Sequence, residues 1–200
     1  MRALRLILAS VWLVALSVVP SSAADQTSSL TGQLLVAEPG MPDPRFAETV
    51  VFLVRHDESG AFGLVINRRL GIRPIATVLK SLGLDPDNAK GEMTIHYGGP
   101  VEPSLGFVLH STDYGRAGTL KVTDGIALTA EPEIVRDIAQ GRGPHQSLFA
   151  LGYAGWGPGQ IEDEIRLGTW FTVPADDELV FDDLVGTKWK RASARRGIDL

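Results

Sequence analysis

Apolar runs of strand length recur along this chain, separated by turns rich in glycine, proline and acidic residues. Runs of this kind without a helical spacing predict buried β-strands. The predicted strands cover residues 34–37, 49–56, 61–67, 93–97, 106–111, 120–122, 126–129, 148–153, 169–173 and 179–181. Short turns containing Asp and Gly join 49–56 to 61–67 and 120–122 to 126–129, so each of these pairs is a predicted hairpin.

Other segments carry a helical pattern. Apolar residues at 75, 78, 79 and 82 lie on one helical face, and Gly83 follows as a stop signal. Further helices are predicted at 132–140, from near Pro158 onward, and at 184–195. Because the strands pair mainly as hairpins and no βαβ rhythm occurs, the pattern predicts a single α+β domain.

The stretch 148–167 is the most informative part of the chain. Its apolar strand leads into Ala-Gly-Trp-Gly-Pro-Gly (154–159), which is too glycine-rich for a regular element and is predicted to be a turn. An acidic amphipathic helix follows. A strand that ends in a tight turn at a helix N-terminus gathers backbone N–H groups, the Trp156 indole and Gln160 at one place. We therefore expect a binding surface there.

The first 24 residues have the three-part layout of a secretory signal peptide. Arg2 and Arg5 precede an apolar run over 6–19, and small residues then allow cleavage after Ala23 or Ala24. The run is shorter than the roughly 20 residues of a membrane span, so we expect a periplasmic or secreted protein without a stable span after cleavage. Residues 25–29 form a polar spacer, and 30–200 form the domain. A leader that is not used would leave the protein in the cytoplasm.

The charge balance and the lack of cysteine restrict the chemistry. The leader contains two arginines and no acidic residue, so cleavage would take the formal net charge from −5 to −7. An acidic protein is a poor candidate for phosphate-backbone binding, and the basic segment 188–196 has the spacing of a solvated helix face. Without cysteine, thiol chemistry and thiolate metal sites are excluded. No motif indicates a cofactor.

Five motifs resemble the bacterial YqgE/AlgH family. They are Leu-Leu-Val-Ala-Glu-Pro-Gly-Met-Pro-Asp-Pro-Arg-Phe (34–46), Gly-Ala-Phe-Gly-Leu-Val-Ile-Asn (60–67), Gly-Gly-Pro-Val (98–101), Phe-Val-Leu-His-Ser (107–111), and Leu-Gly-Tyr-Ala-Gly-Trp (151–156) with Gly159, Gln160 and a later Trp170. The resemblance covers nearly all of 30–200. It implies a bifurcated, mostly antiparallel sheet that curls into a small barrel flanked by helices. It implies no catalytic mechanism, and one branch of the family is named as a regulator of alginate production.

Two features differ from the family pattern. Family members usually begin near the equivalent of Leu30 without a leader, whereas a leader is predicted for this chain. An exported member would not meet cytosolic DNA. The family also commonly has proline soon after its asparagine, whereas two arginines follow Asn67 here, so we expect a different local turn.

The candidate binding residues are Asn67, Gly98, Gly99, His110, Tyr153, Trp156 and Gln160. The Asn67 amide could meet a ligand or cap neighbouring backbone groups. The two glycines could form an anion nest. A tryptophan bracketed by glycines either packs onto Tyr153 or lies partly exposed as an anchor for a partner.

Enzymatic and metal-binding alternatives have weaker support from the sequence. His110 could act as the base of a hydrolase, but His110 and Ser111 are adjacent on a strand and point to opposite faces. No Gly-x-Ser-x-Gly motif occurs. The four histidines lack a metal-ligand spacing. We therefore expect a non-enzymatic protein that binds a small molecule or a protein at the glycine-framed turn, with a hydrolase or a cytosolic regulator as alternatives.

Overall fold

The computed structural model describes residues 29–86 and 88–197. The predicted leader and nearly all of the spacer therefore lie outside the described residues. Within the described ranges, no helix is both long enough and apolar enough to cross a membrane.

Ten strands and five helices make up the described chain. The strands are β1 (Gln33–Ala37), β2 (Val50–Asp57), β3 (Gly60–Val65), β4 (Arg69–Pro74), β5 (Glu92–Tyr97), β6 (Val101–Ser111), β7 (Leu120–Lys121), β8 (Ile126–Thr129), β9 (Ser147–Trp156) and β10 (Trp170–Pro174). The helices are α1 (Ile75–Ser81), α2 (Glu133–Ala139), α3 (Gln160–Arg166), α4 (Asp177–Phe181) and α5 (Val185–Ser193).

The strands form one sheet that forks at β9. The main path runs β10-β1-β2-β3-β9-β6-β8-β7, and β4 and β5 form a branch that joins β9. All the pairs are antiparallel except β5 with β9. The sheet curls into a half-barrel with the helices packed around it, which confirms the predicted α+β class and the bifurcated sheet.

Gly152 allows β9 to serve both branches. Residues 149–151 pair with β5, whereas residues 154–156 pair with β3. Between them Gly152 has φ +72°, which is the left-handed region that glycine enters without a steric penalty. The left-handed conformation at Gly152 reverses the alternation of side chains along β9. Tyr153 therefore continues the face of Ala150, while Trp156 lies in a different apolar cluster.

Gly98 and Gly99 hold the fork closed by close backbone contact. The Gly98 N–H donates to Leu151 O at 2.8 Å, and its carbonyl accepts from the Val65 N–H at 2.8 Å. A Cβ at Gly98 would lie 2.1 Å from Gly152 O, and one at Gly99 would lie 2.0 Å from the Tyr153 carbonyl carbon. Both positions thus require glycine because the backbones approach each other too closely for a side chain.

Three apolar clusters stabilise this arrangement. The first includes Phe52, Leu109 and Phe171 and is completed by residues of α4 and α5. The second lies on the other face of β1–β3 and includes Leu53, Ile161 and both tryptophans 156 and 170. The third packs α1 and α2 against β5, β6 and β9.

Three predictions about the elements were wrong or incomplete. Residues 154–156 are not turn but the last part of β9, because their pairing with β3 outweighs their glycine content. Residues 179–181 are not a strand but lie in α4, where the Asp176 side chain accepts from the Leu179 N–H and caps the helix. Strand β4 was not predicted, because it is exposed and polar and its sequence carries no apolar run.

Candidate functional site

A groove lies beside the C-terminal end of β9. It has a volume of about 350 Å³. We call it the indole groove, and it is lined by Met41, Pro42, Asp43, Arg45, Phe46, Pro100, Ala154, Gly155, Trp156, Gln160, Glu164, Thr169 and Trp170. Four separate parts of the chain contribute to this lining: the 41–46 loop, Pro100 just before β6, the end of β9, and α3 with the segment that follows it.

Glu164 is the hub of the polar contacts in the groove. Its Oε2 accepts from the Trp156 Nε1–H at 3.0 Å and from the Trp170 Nε1–H at 2.9 Å. Its Oε1 accepts from the Gln160 amide nitrogen at 2.7 Å. Gln160 and Glu164 are one helical turn apart on α3, so the helix itself sets their spacing. One carboxylate thereby fixes the orientation of two indoles.

The aromatic rings of the groove meet at steep angles. The Trp156 and Trp170 rings lie 6.1 Å apart at 82°, and the Phe46 and Trp170 rings lie 5.5 Å apart at 68°. These are edge-to-face contacts, which aromatic pairs favour over a sandwich. Trp156 is 8% exposed and Trp170 is 2% exposed.

The structure corrects both interpretations of Trp156. The indole is not an exposed anchor, because it is buried in the second apolar cluster. It does not pack onto Tyr153 either, since Tyr153 packs with Phe62 at 4.9 Å and with Phe107 at 6.1 Å. Trp156 instead packs onto Trp170 while one side of it lines the groove.

The remaining predicted residues are distributed over the fold. Gln160 lines the groove, and its Oε1 also accepts from the Gly157 N–H at 3.0 Å. The Asn67 amide accepts from the Val50 N–H at 3.0 Å and donates to Glu48 O at 2.8 Å, which is the backbone-capping role. Gly98 and Gly99 form the close backbone contacts with β9 at the fork of the sheet. Of the seven candidates, Trp156 and Gln160 line the indole groove.

His110 is fully buried on β6. Its Nε2 lies 2.9 Å from Thr129 Oγ1, and its Nδ1 lies 2.9 Å from Ser111 O. The Nδ1 therefore carries the proton, because a carbonyl oxygen can only accept, and Nε2 accepts from the threonine hydroxyl. Burial lowers the pKa of His110, and the hydrogen bond to Ser111 O opposes this shift only in part. Both ring nitrogens are engaged within the protein.

The acidic residues at the start of α3 each have a partner. Glu162 Oε1 lies 2.8 Å from His56 Nε2, and Asp163 forms an ion pair with Arg166. The sequence explains these acids by the helix dipole and gives Glu164 no special role. The i, i+4 spacing of Gln160 and Glu164, together with Trp170 in the fifth motif, is the signal from which the hub could have been found.

The basic segment near the C-terminus is paired with acids of the same chain. Lys188 and Arg191 contact Asp182, Arg195 contacts Asp176, and Arg196 contacts Glu38. In addition, no group of three or more His, Cys, Asp or Glu side chains in residues 29–86 and 88–197 is placed to hold a metal ion.

Comparison with known proteins places the chain in a family. The AlgH-like family (DUF179) matches residues 34–200. A UPF0301 protein of Rhodospirillum rubrum is 48% identical over 170 residues, which are 85% of this chain and 88% of the relative. A UPF0301 protein of Paracoccus denitrificans is 42% identical over 181 residues, which are 88% and 94% of the two chains.

Two solved structures share the fold. The solution structure of the AlgH protein from Pseudomonas aeruginosa superposes with a TM-score of 0.74 at 40% identity and covers 86% of this chain and 92% of that one. A protein of Corynebacterium diphtheriae has a TM-score of 0.65 at 22% identity, covers 84% and 87% of the two chains, and supports the fold alone. With its sheet, its motifs and its relatives in agreement, the chain belongs to the AlgH-like, or UPF0301, family.

Proposed function

We propose that this protein is a non-enzymatic binding protein and that the indole groove is its ligand site. The observation that carries the proposal is the convergence of Phe46, Trp156 and Trp170 on one groove of about 350 Å³. That volume lies within the roughly 300–1,000 Å³ of ordinary ligand sites, which are mainly apolar with a few placed polar groups. The ligand class is a small molecule or a single side chain of a protein partner.

The groove is prepared for binding before a ligand arrives. The Trp156 and Trp170 indoles are already held by Glu164, so a ligand does not have to order them. Rotamer-rich side chains cost about 0.5–1.5 kcal/mol each when binding immobilises them, and the network avoids this cost for both indoles. A fixed aromatic lining favours a flat or compact apolar group.

The lining offers no arrangement for covalent catalysis. Its residues include no histidine, serine or cysteine. Its hydroxyl group, on Thr169, donates to Glu164 O at 2.7 Å, and the Glu164 carboxylate accepts from three donors. The hydrolase alternative depends on His110, whose ring is fully buried with both nitrogens engaged. Binding is therefore the function that the geometry supports best.

The tryptophans provide a direct test. The chain has four, of which Trp12 lies in the leader. In the domain, Trp156 and Trp170 line the groove, while Trp189 donates to Ala37 O at 2.8 Å and serves as an internal control. A small-molecule fragment library is titrated into ¹⁵N-labelled residues 25–200. We expect hits that shift the Trp156 and Trp170 indole N–H resonances and leave that of Trp189 unchanged. Hits that bind only elsewhere, with no shift of the two groove indoles, would refute the proposal.

We also propose that the protein acts outside the cytoplasm, on the basis of the three-part layout of residues 1–24. The test is cell fractionation followed by N-terminal sequencing. We expect periplasmic or secreted protein that begins at Ala24 or Asp25. Intact protein in the cytosol would contradict export and would favour a cytosolic regulator of the kind implied by the family resemblance.

A further inference from the structure

The three aromatic rings that line the indole groove are steeply inclined to one another. Trp156 is nearly perpendicular to Trp170, and Phe46 stands at 68° to Trp170 on the side of the 41–46 loop. All three rings line the same groove. The face of an aromatic ring carries partial negative charge, so several rings that line one groove attract a cation placed against them.

The Glu164 carboxylate adds a full negative charge to this space. Its three side-chain donors are two indoles and an amide, which are neutral groups. Neutral donors hold the carboxylate in place but do not cancel its charge. Both indoles also donate to an anion, which polarises each ring toward a more negative face.

The other charged side chains of the lining cancel one another. The Arg45 guanidinium contacts the Asp43 carboxylate through two nitrogens, at 2.7 and 3.1 Å, and these bonds hold the pKa of Asp43 below its usual value. Asp43, Arg45 and Glu164 together leave the lining with one net negative charge. The charge of the groove thus complements a monovalent cation.

We propose that the ligand of the indole groove is a small organic cation of the quaternary or methylated ammonium class. This inference rests on the proposed function and narrows its ligand to one chemistry. The methyl groups contact the Trp156, Trp170 and Phe46 rings, and the positive charge is balanced by Glu164. A quaternary ammonium suits such a site because it is weakly hydrated and needs no hydrogen-bond acceptor.

Arg45 limits the affinity of the site as it stands. Its guanidinium carbon lies 5.9 Å from the centre of the Phe46 ring, so it already occupies one aromatic face at the rim. The side chain is 65% exposed, and replacing it leaves the core untouched. Without Arg45, a cation would no longer meet this positive charge and Asp43 would add a negative one. The substitution Arg45→Met should therefore tighten cation binding.

The test compares choline with its uncharged isostere, 3,3-dimethyl-1-butanol, in which a carbon replaces the nitrogen. Each is titrated into ¹⁵N-labelled residues 25–200 at constant ionic strength, with sodium chloride as the salt control. We expect choline to shift the Trp156 and Trp170 indole resonances saturably, and the alcohol to bind at least about tenfold more weakly because it lacks the cation–π and Coulomb contributions.

Two variants separate charge from shape. Glu164→Gln keeps the size of the side chain and removes its charge, but its amide replaces one acceptor oxygen by a donor and so also disturbs the groove. The quantity compared is therefore the ratio of choline affinity to alcohol affinity in the same variant, and we expect this ratio to fall about tenfold. Arg45→Met should raise the ratio of choline affinity to alcohol affinity about threefold or more, because it removes a positive charge from the rim of the groove. Because Arg45 is at the rim, this second variant keeps the test valid if Glu164→Gln fails to fold.

Each outcome has a distinct meaning. Equal affinity for choline and the alcohol would refute selection for a cation while leaving the groove as an apolar binding site. If neither compound moves the two indole resonances but other fragments do, the ligand class is wrong and the proposed function stands. If no compound of either experiment moves them, both proposals fail.

Discussion

Replacing Gly152 by alanine tests whether the fork in the sheet depends on close backbone contact. A side chain at φ +72° costs about 1–2 kcal/mol by itself. The added Cβ would also lie 2.5 Å from Gly99 O and 2.9 Å from Val101 O, both of them backbone atoms that move only with their strands. Such overpacking costs about 1–3 kcal/mol more. We therefore expect a loss of about 2–5 kcal/mol in the free energy of unfolding.

Gly141 provides the matched control. It has φ +69°, but a Cβ there would meet no atom within 4 Å. Gly141→Ala should thus show the backbone cost alone, about 1–2 kcal/mol. Both variants are compared with the wild type by urea unfolding and by thermal unfolding, each followed by circular dichroism. For a domain of this size 1 kcal/mol corresponds to about 2–4 °C in Tm, so Gly152→Ala should melt roughly 4–20 °C lower than the wild type.

The comparison of the two variants is decisive because it removes the contribution that they share. If Gly152→Ala loses no more stability than Gly141→Ala, the contact with Gly99 and Val101 does not constrain the fold, and the explanation of the fork is wrong. If it loses more, the indole resonances of Trp156 should also shift. The residue that reverses the alternation of β9 lies four positions before that tryptophan, so a distorted fork would turn its ring.

Three further predictions concern buried polar groups. Lys188→Met should cost about 1–3 kcal/mol in urea unfolding, because the fully buried amine donates to Leu179 O and Val180 O at 2.6 and 3.1 Å and methionine cannot, whereas Asp182 keeps its contact with Arg191. A near-neutral result would contradict this role. Burial by itself would raise the pKa of Asp182, but the hydrogen bonds from Lys188 and Arg191 outweigh this effect, so the net shift of the pKa is downward. The stability that Asp182 contributes should therefore be lost as the pH falls below about 4. The variant Asp182→Asn should show a weaker dependence of the urea midpoint on pH in this range. Burial lowers the pKa of His110, so its ring should titrate below pH 6.5 when followed by NMR. Because the unfolded chain then binds the proton more readily than the folded one, the fold should lose stability as the pH falls below 6.5. Titration of the ring at pH 6.5 or above would refute this prediction.

The strands whose two faces are both buried were predicted well from the sequence. Strands β1, β2 and β3 each contain an apolar run of at least four residues or an apolar stretch with small glycines, so local composition specifies them. Strand β4 shows the opposite case. It has no apolar run, and it is a strand because β5 pairs with it, which is information that its own sequence does not contain. The helical state of 179–181 was readable, since Asp176 at the N-cap precedes two acidic residues in the first turn.

The sequence indicated only the part of the candidate groove that surrounds Trp156. The glycine-framed segment pointed to Trp156 and Gln160, which line the same groove, because a strand that leads into a helix can be recognised locally. That they bind a ligand stays a prediction. Phe46 could not be assigned to the same groove, since it lies more than one hundred residues before Trp156 in the sequence. Trp170 was named with the fifth motif, but the motif alone does not show that its indole shares Glu164 with Trp156. The glycines 98 and 99 were read as an anion nest, whereas they contact a strand more than fifty residues later; nothing in Gly-Gly-Pro indicates that contact.

Burial of Trp156 and a role in binding are compatible, although the sequence presents them as alternatives. An indole that is 8% exposed can still form a wall of a groove, because a ligand contacts one part of the ring while the core packs against the rest. Burial also improves the site, since the Nε1–H bond to Glu164 and the contact with Trp170 fix the ring before binding. Trp156→Ala is consequently a poor test of function, because losing a buried tryptophan costs about 3–5 kcal/mol and a folding defect would obscure any loss of binding. Trp156→Phe keeps an aromatic wall and removes the bond to Glu164. It should retain the fold and weaken binding in the groove, and unchanged affinity would show that the fixed indole contributes nothing to recognition.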